Sequence, residues 1–338
     1  MSPEAVETMR AAVCATLNDD MDLELREVPV PSLVPGSVLI DVHAAGVNFA
    51  DCLMVSGTYQ ERPGVPFTPG MEIAGVVREV GPGVSSLRRG QRVMAIVDHG
   101  AFAECAIARS SDVFPMPDAM DFTTAAAFPI AYGTSMCALR TRAALKGGDV
   151  VLVLGAAGGV GLTAVQLAKA LGARVIAAAG SDARAAFALE NGADLALSYA
   201  AGDIVQNVRS YCRDLGRTGV DIVYDPVGGA IGEQAVRVLG AGGRWLLIGF
   251  ASGALPKIPA NHLLVKNISA LGFYWGGFRQ SQRDQVASDF EQMFAWWLEG
   301  RLPVQVSETR PLEYAGEALN LLRLRKSTGK VVVSIRQG

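Results

Sequence analysis

Val150-Val151-Leu152-Val153-Leu154-Gly155-Ala156-Ala157-Gly158-Gly159-Val160-Gly161 passes from an apolar strand through a glycine turn into a helix. Val160, Ala164, Leu167 and Leu171 then recur at helical spacing, which gives that helix an apolar face. This is the context a dinucleotide fingerprint requires. Glycines allow the sharp turn, let backbone N–H groups approach a pyrophosphate and let the helix pack on the strand, while the helix N-terminus favours negative charge. Ala156 replaces the first glycine of G-x-G-x-x-G, so the candidate cradle is Ala156, Ala157, Gly158, Gly159, Val160 and Gly161. An ordinary tight βα turn reads the same in isolation; repeated βα units downstream favour the dinucleotide.

The next strand should end in an acidic residue if the ligand is NAD, whose ribose 2′-hydroxyl it would bond. Here it ends Ala177-Ala178-Ala179-Gly180-Ser181, with Arg184 in the first turn of the following helix. A cation and a hydroxyl at this place suit a 2′-phosphate, so NADPH is expected over NADH. Asp182 is the competing reading, because a shifted register would bring it to the ribose, and Arg184 could instead be a solvated helix-face charge.

Outward from this loop, β-branched runs at Arg174-Val175-Ile176, Asp221-Ile222-Val223-Tyr224 and Trp245-Leu246-Leu247-Ile248 alternate with alanine-rich helical stretches from Thr123 onward. Such alternation means a parallel sheet with covered faces. Before about Phe114 the chain reads instead as short strands separated by Pro and Gly, a β-rich region. After about Ser269 the regularity breaks, with helices expected at Arg283–Glu299 and Tyr314–Leu324 and a closing strand at Lys330–Ile335. The fold class is therefore α/β, a β-rich domain interrupted by an inserted doubly wound domain.

The 338 residues carry 30 Lys+Arg and 33 Asp+Glu, a net charge of −3, so no polycationic surface exists for nucleic acid. Half are hydrophobic, which excludes global disorder. The acidic N-terminus lacks the apolar core of a signal peptide, and a cytoplasmic protein is expected. Residues 150–168 are free of charge, but glycines interrupt the run and no membrane association is expected. Cys14, Cys52, Cys105, Cys137 and Cys212 are scattered and suggest neither a disulfide framework nor a zinc knuckle. His43, His99 and His262 show no paired ligand spacing.

Several further motifs stand in order: Ala45-Gly46-Val47-Asn48-Phe49-Ala50-Asp51, Pro69-Gly70-Met71-Glu72-Ile73-Ala74-Gly75, Val80-Gly81-Pro82-Gly83-Val84, Gly90-Gln91-Arg92-Val93, Gly219 to Gly229, Gly249-Phe250-Ala251-Ser252-Gly253 and Thr328-Gly329-Lys330-Val331-Val332. With them the chain resembles, over nearly its whole length, the zinc-free quinone oxidoreductase branch of the medium-chain dehydrogenase/reductase superfamily. The resemblance implies a GroES-like catalytic domain over 1–126, a Rossmann NADPH-binding domain over 127–268 and a C-terminal segment, 269–338, that completes the first. It also implies a homodimer, for which the apolar run Asn267 to Phe273 offers an edge strand.

Zinc-dependent alcohol dehydrogenases of that superfamily carry a cysteine where this chain has Asn48 and a histidine where it has Met71, so no metal is expected. Asn48 resembles the asparagine beside nicotinamide and substrate, and Thr134 a residue near the nicotinamide. Ser181, Arg184 and Tyr199 resemble the 2′-phosphate clamp. Phe250 and Ala251 follow a strand tip that faces the cofactor in the family, while Phe273, Tyr274 and Trp275 resemble the segment beside the nicotinamide. Tyr59 lies where many relatives bring a tyrosine to the cleft, and with Asn48 it is the candidate catalytic pair. Plain alternatives stand beside these: Tyr199 and Phe273 as core aromatics, Asn48 as a cap, Tyr59 as a packed loop residue. The implied activity is NADPH-dependent reduction of small quinones or activated alkenes, either enones or enoyl thioesters. A catalytically weak NADPH-binding protein of ζ-crystallin type is the alternative.

Overall fold

The computed structural model describes residues 6–199 and 202–336. The chain divides into two compact units, Met1–Ile130 with Val304–Gly338, and Ala131–Pro303. In the first, Ser37–Val47, Glu72–Val80, Arg92–Ile96 and Val113–Pro115 pair antiparallel in that order. The C-terminal strand Lys330–Ser334 also pairs with Ser37–Val47, placing Val331 opposite Val47. Alternating residues such as Ile40, Val42, Ile73, Val331 and Val333 meet in one buried core. A chain that leaves this unit at residue 130 and returns at 304 has the inserted architecture that the change of pattern implies.

The second unit is built on six parallel strands. Across the sheet they run Leu195–Ser198, Arg174–Ala179, Val150–Leu154, Val220–Asp225, Leu239–Leu247 and Ser269–Gly272, which is the order 3-2-1-4-5-6 by chain position. This is the doubly wound Rossmann order. All five side chains of Val150–Leu154 are buried, as a central parallel strand covered on both faces requires.

Two expectations differ from what is observed. The second unit runs on past the expected boundary at 268 to Pro303. The loss of βα regularity there is real, yet Ser269–Gly272 extends the same parallel sheet, and Asp289 on the helix Arg283–Leu298 takes the Arg140 guanidinium at 2.8 Å. The helix Gly159–Ala170 is also buried beyond one apolar face, since every residue from Gly161 to Ala168 is covered. The charge-free run 150–168 divides into strand, turn and helix, and among the described residues no helix is long and apolar enough to cross a membrane.

Candidate functional site

In a parallel sheet every strand ends at the same edge, and ligands of open α/β folds bind there. Gly155, Gly180-Ser181, Tyr199, Pro226 and Phe273 each follow a strand of the second unit directly, and Phe250 follows the fifth strand within a few residues. Topology therefore gathers along one edge residues that the sequence scatters over more than a hundred positions.

Gly155 has φ +59°, a left-handed conformation that glycine adopts without strain. The Gly158 N–H closes the turn on the Gly155 carbonyl at 2.9 Å, and the Ala156 N–H reaches the Ala178 carbonyl at 3.0 Å. Gly158 is the N-cap of Gly159–Ala170 and offers no side chain to its first turn. The N–H groups of Gly159, Val160 and Gly161 have no acceptor inside the helix, which is the arrangement that receives a phosphate. Gly161 has a steric role: a Cβ there would overlap the Gly155 carbonyl oxygen and lie 2.7 Å from its carbon. Ala156 and Ala157 are buried beneath the turn.

Ser181 caps the helix Asp182–Glu190 by accepting the Arg184 N–H, so Arg184 stands in its first turn at the tip of the neighbouring strand. Asp182 is the exposed first residue of that helix. Thr134 is buried on the helix Pro129–Met136, and the Trp275 ring packs on that helix so closely that a Cβ on Gly133 would lie 2.7 Å from it. Phe273 is buried, with its ring 5.2 Å from that of Phe278, whereas Tyr274 and Phe250 are exposed. The Ala251 N–H bonds the Pro226 carbonyl at 3.0 Å and holds that loop against the fourth strand. Sequence reasoning missed a hydroxyl cluster behind the turn: Ser135 Oγ lies 2.8 Å from Thr163 Oγ1 and 2.9 Å from the Tyr224 hydroxyl. These bonds tie Pro129–Met136 to the helix that follows the glycine loop.

In the first unit Asn48 is the N-cap of Phe49–Val55, and its side chain belongs to a buried polar cluster. Its Nδ2 donates to Glu72 Oε1 at 2.8 Å, and its Oδ1 accepts from Lys330 Nζ at 2.8 Å. Lys330 Nζ also donates to Glu72 Oε1 at 2.7 Å and to the Val47 carbonyl at 2.8 Å. The Ile130 N–H takes the other Glu72 oxygen. With one bond on each of its two polar atoms, the Asn48 amide is fixed in orientation. Gly46 lies against this carboxylate, and a Cβ there would overlap Glu72 Oε1. Asp51 is fully buried; its Oδ2 accepts the Asn48 N–H at 2.7 Å, while its Oδ1 has no hydrogen-bond partner among the described residues. Burial pushes the Asp51 carboxyl up to about 7, opposed by that N–H and by Lys330. Neither Glu72 nor Lys330 carries a local signal of this role, because 258 positions separate them.

Tyr59 is half-buried and packs on the apolar core of the first unit, with its N–H on the Leu53 carbonyl at 3.0 Å. Met71 belongs to the same core. His43 stacks on Phe122 and His99 meets the Phe67 edge, both ordinary packing arrangements. Among the described residues no three His, Cys, Asp or Glu side chains are grouped to hold a metal ion.

Residues 34–118 match the alcohol dehydrogenase GroES-like domain and residues 159–296 the zinc-binding dehydrogenase family. A Bos taurus protein named quinone oxidoreductase-like protein 2 is 39% identical over 328 residues, covering 97% of this chain and 93% of that one. The chain belongs to the quinone oxidoreductase family. Homo sapiens quinone oxidoreductase is 33% identical, with 92% of this chain and 93% of that one aligned. Among solved quinone oxidoreductases, that of Thermus thermophilus superposes with TM-score 0.82 at 34% identity, covering 97% of this chain and 100% of that one. The Escherichia coli quinone oxidoreductase complexed with NADPH gives 0.87 at 27% identity, covering 97% and 99%. Zinc, which the description of one matched family implies, does not fit the donors of this quinone oxidoreductase relative. At Asn48 and Met71, where the resemblance would place zinc ligands, stand an amide already bonded to a lysine ammonium and a core thioether.

Proposed function

We propose that the protein is an NADPH-dependent oxidoreductase that delivers hydride to a quinone or an activated alkene, such as an enone or enoyl thioester, without a metal. The observation that carries this reading is the uncapped start of Gly159–Ala170 beside a strand tip that presents Ser181 and Arg184 in place of a carboxylate. The name shared by the relatives and the NADPH held by the Escherichia coli enzyme support it. NADPH, when bound, supplies the hydride. The first-turn N–H groups of Gly159, Val160 and Gly161 bind its pyrophosphate, and Ser181 and Arg184 meet its 2′-phosphate. Thr134, Phe250, Ala251, Phe273, Tyr274 and Trp275 orient the rest of the dinucleotide.

Arg184→Ala should weaken NADPH about tenfold, equivalent to ~1.4 kcal/mol, and leave NADH unchanged. Titrating both dinucleotides by fluorescence reads the difference, and an equal loss for both would remove the 2′-phosphate argument. Asn48 and Tyr59 are the proposed donors to a substrate carbonyl oxygen that gains charge as hydride arrives. Tyr59→Phe should then slow an enone about tenfold more than a quinone, because quinone oxygens can take protons from water. Equal rates for the variant and the parent would leave Tyr59 its packing role. A homodimer is proposed through the sheet edge Ser269–Gly272, whose pairing through one side leaves the other for a second copy; light scattering at micromolar concentration should give twice the chain mass.

Turnover of a quinone and enone panel by chelator-treated protein tests the whole reading. NADPH oxidised well above the buffer rate supports it. NADPH bound but oxidised no faster than in buffer would make the protein a cofactor binder instead.

A further inference from the structure

Lys330, Glu72 and Asn48 meet at one end of three adjacent strands of the first unit. Val331 pairs with Val47 and Glu72 with Gly46, so the residues that open the strands Lys330–Ser334 and Glu72–Val80 flank the residue that follows Ser37–Val47. A Cβ on Gly46 would overlap Glu72 Oε1, and glycine leaves that oxygen its place.

The Lys330 ammonium has three protons, and all are placed: on the Val47 carbonyl, on Asn48 Oδ1 and on Glu72 Oε1. It has none left for a substrate. Its effect is to decide which way the Asn48 amide faces. An ammonium only donates, so the amide atom against it must be the oxygen; a carboxylate only accepts, so the atom against Glu72 must be the nitrogen. An amide turned over would set donor against donor on one side and oxygen against oxygen on the other. Nδ2 gives one proton to Glu72 and keeps the second. The ammonium on Oδ1 also draws electron density from the amide, which makes the remaining N–H a stronger donor. Asn48 keeps 8% exposure, whereas Glu72 has none.

We propose that Lys330 and Glu72 are positioning residues that make Asn48 present an N–H, and not its oxygen, to the substrate carbonyl. This rests on the reading that Asn48 stabilises a substrate oxygen as hydride arrives. An enone needs such a donor; a quinone, whose oxygens take protons from water, needs it less.

Lys330→Met combined with Glu72→Gln reverses both constraints and removes both charges. The new amide accepts from the Ile130 N–H with its oxygen and turns its nitrogen on Asn48, which must then offer oxygen. With an enone, kcat of this double variant should fall at least about tenfold, while KM and the calorimetric NADPH affinity stay within about twofold of the parent. Quinone turnover should fall by less than about threefold. On an Asn48→Ala background, itself slow with enones, the same two substitutions should bring no further loss. The parent gives a readout independent of folding in the variants: with NADP+ and a saturated ketone bound, NMR should show the second Asn48 Nδ2 proton moved downfield relative to the ketone-free protein. A folded double variant as fast as the parent with enones would overturn the proposal, as would equal losses for enone and quinone, a further loss on Asn48→Ala, or an unmoved Nδ2 proton. Parent protein that bound NADPH but reduced no enone would reject the reaction itself, and the role of the pair with it.

Discussion

Lys330→Met should destabilise the folded protein by about 3–5 kcal/mol, a large part of the ~5–15 kcal/mol that holds a typical domain together. Lys330 and Glu72 are both buried and joined at 2.7 Å, and the ammonium also holds Asn48 and the Val47 carbonyl. Methionine fills a similar volume but leaves the Glu72 carboxylate buried without its counter-charge. An uncompensated buried charge costs far more than the net worth of the pair it came from. The double variant Lys330→Met with Glu72→Gln should therefore recover much of the loss, because the neutral amide can accept from Ile130 with its oxygen and donate with its nitrogen to Asn48 Oδ1 once the Asn48 amide turns over. Urea unfolding of the three proteins measures this. A single-variant loss below about 1 kcal/mol would show that the pair is not desolvated as the structure has it.

Gly161→Val should abolish dinucleotide binding, weakening NADPH by at least about a hundredfold, or ~2.8 kcal/mol. Its Cβ would overlap the Gly155 carbonyl oxygen and lie 3.0 Å from Ala156 Cα. Those atoms are backbone, and they are held by the Ala156 to Ala178 and Gly155 to Tyr199 bonds, so the turn must shift as a whole. At Gly147 an added Cβ would meet only the Leu171 carbonyl, 4.0 Å away, and Gly147→Ala should bind NADPH normally. Circular dichroism of both variants separates a displaced turn from an unfolded unit. Unimpaired binding by folded Gly161→Val would mean that the close approach of helix and turn is dispensable.

The glycine turn was legible because its causes are local: β-branched residues, then glycines where backbone must fold tightly, then apolar residues at helical spacing. The sheet order followed from repetition of that unit. Legibility failed where causes are distant. The change of pattern at Ser269 suggests a boundary, but whether Ser269–Gly272 joins one sheet or the other depends on partner residues 25 positions upstream. Asn48 could be singled out, yet the Lys330 and Glu72 groups that fix its amide meet it only after the C-terminal strand pairs with Ser37–Val47. Tyr199 was marked by position, while the engagement of its hydroxyl depends on where two neighbouring strands diverge. Motifs locate residues, and hydrogen-bond partners decide what those residues have free to offer.

In the proposed reaction hydride passes directly from NADPH to a small electron-poor acceptor, without a metal. Single turnover with NADPH deuterated at the transferred position, an enone acceptor and chelator-treated protein, followed by mass spectrometry of the product, shows where that hydride goes. Deuterium should appear on the β-carbon of the reduced enone; product carrying solvent hydrogen there, with the label lost to water, would rule out direct transfer.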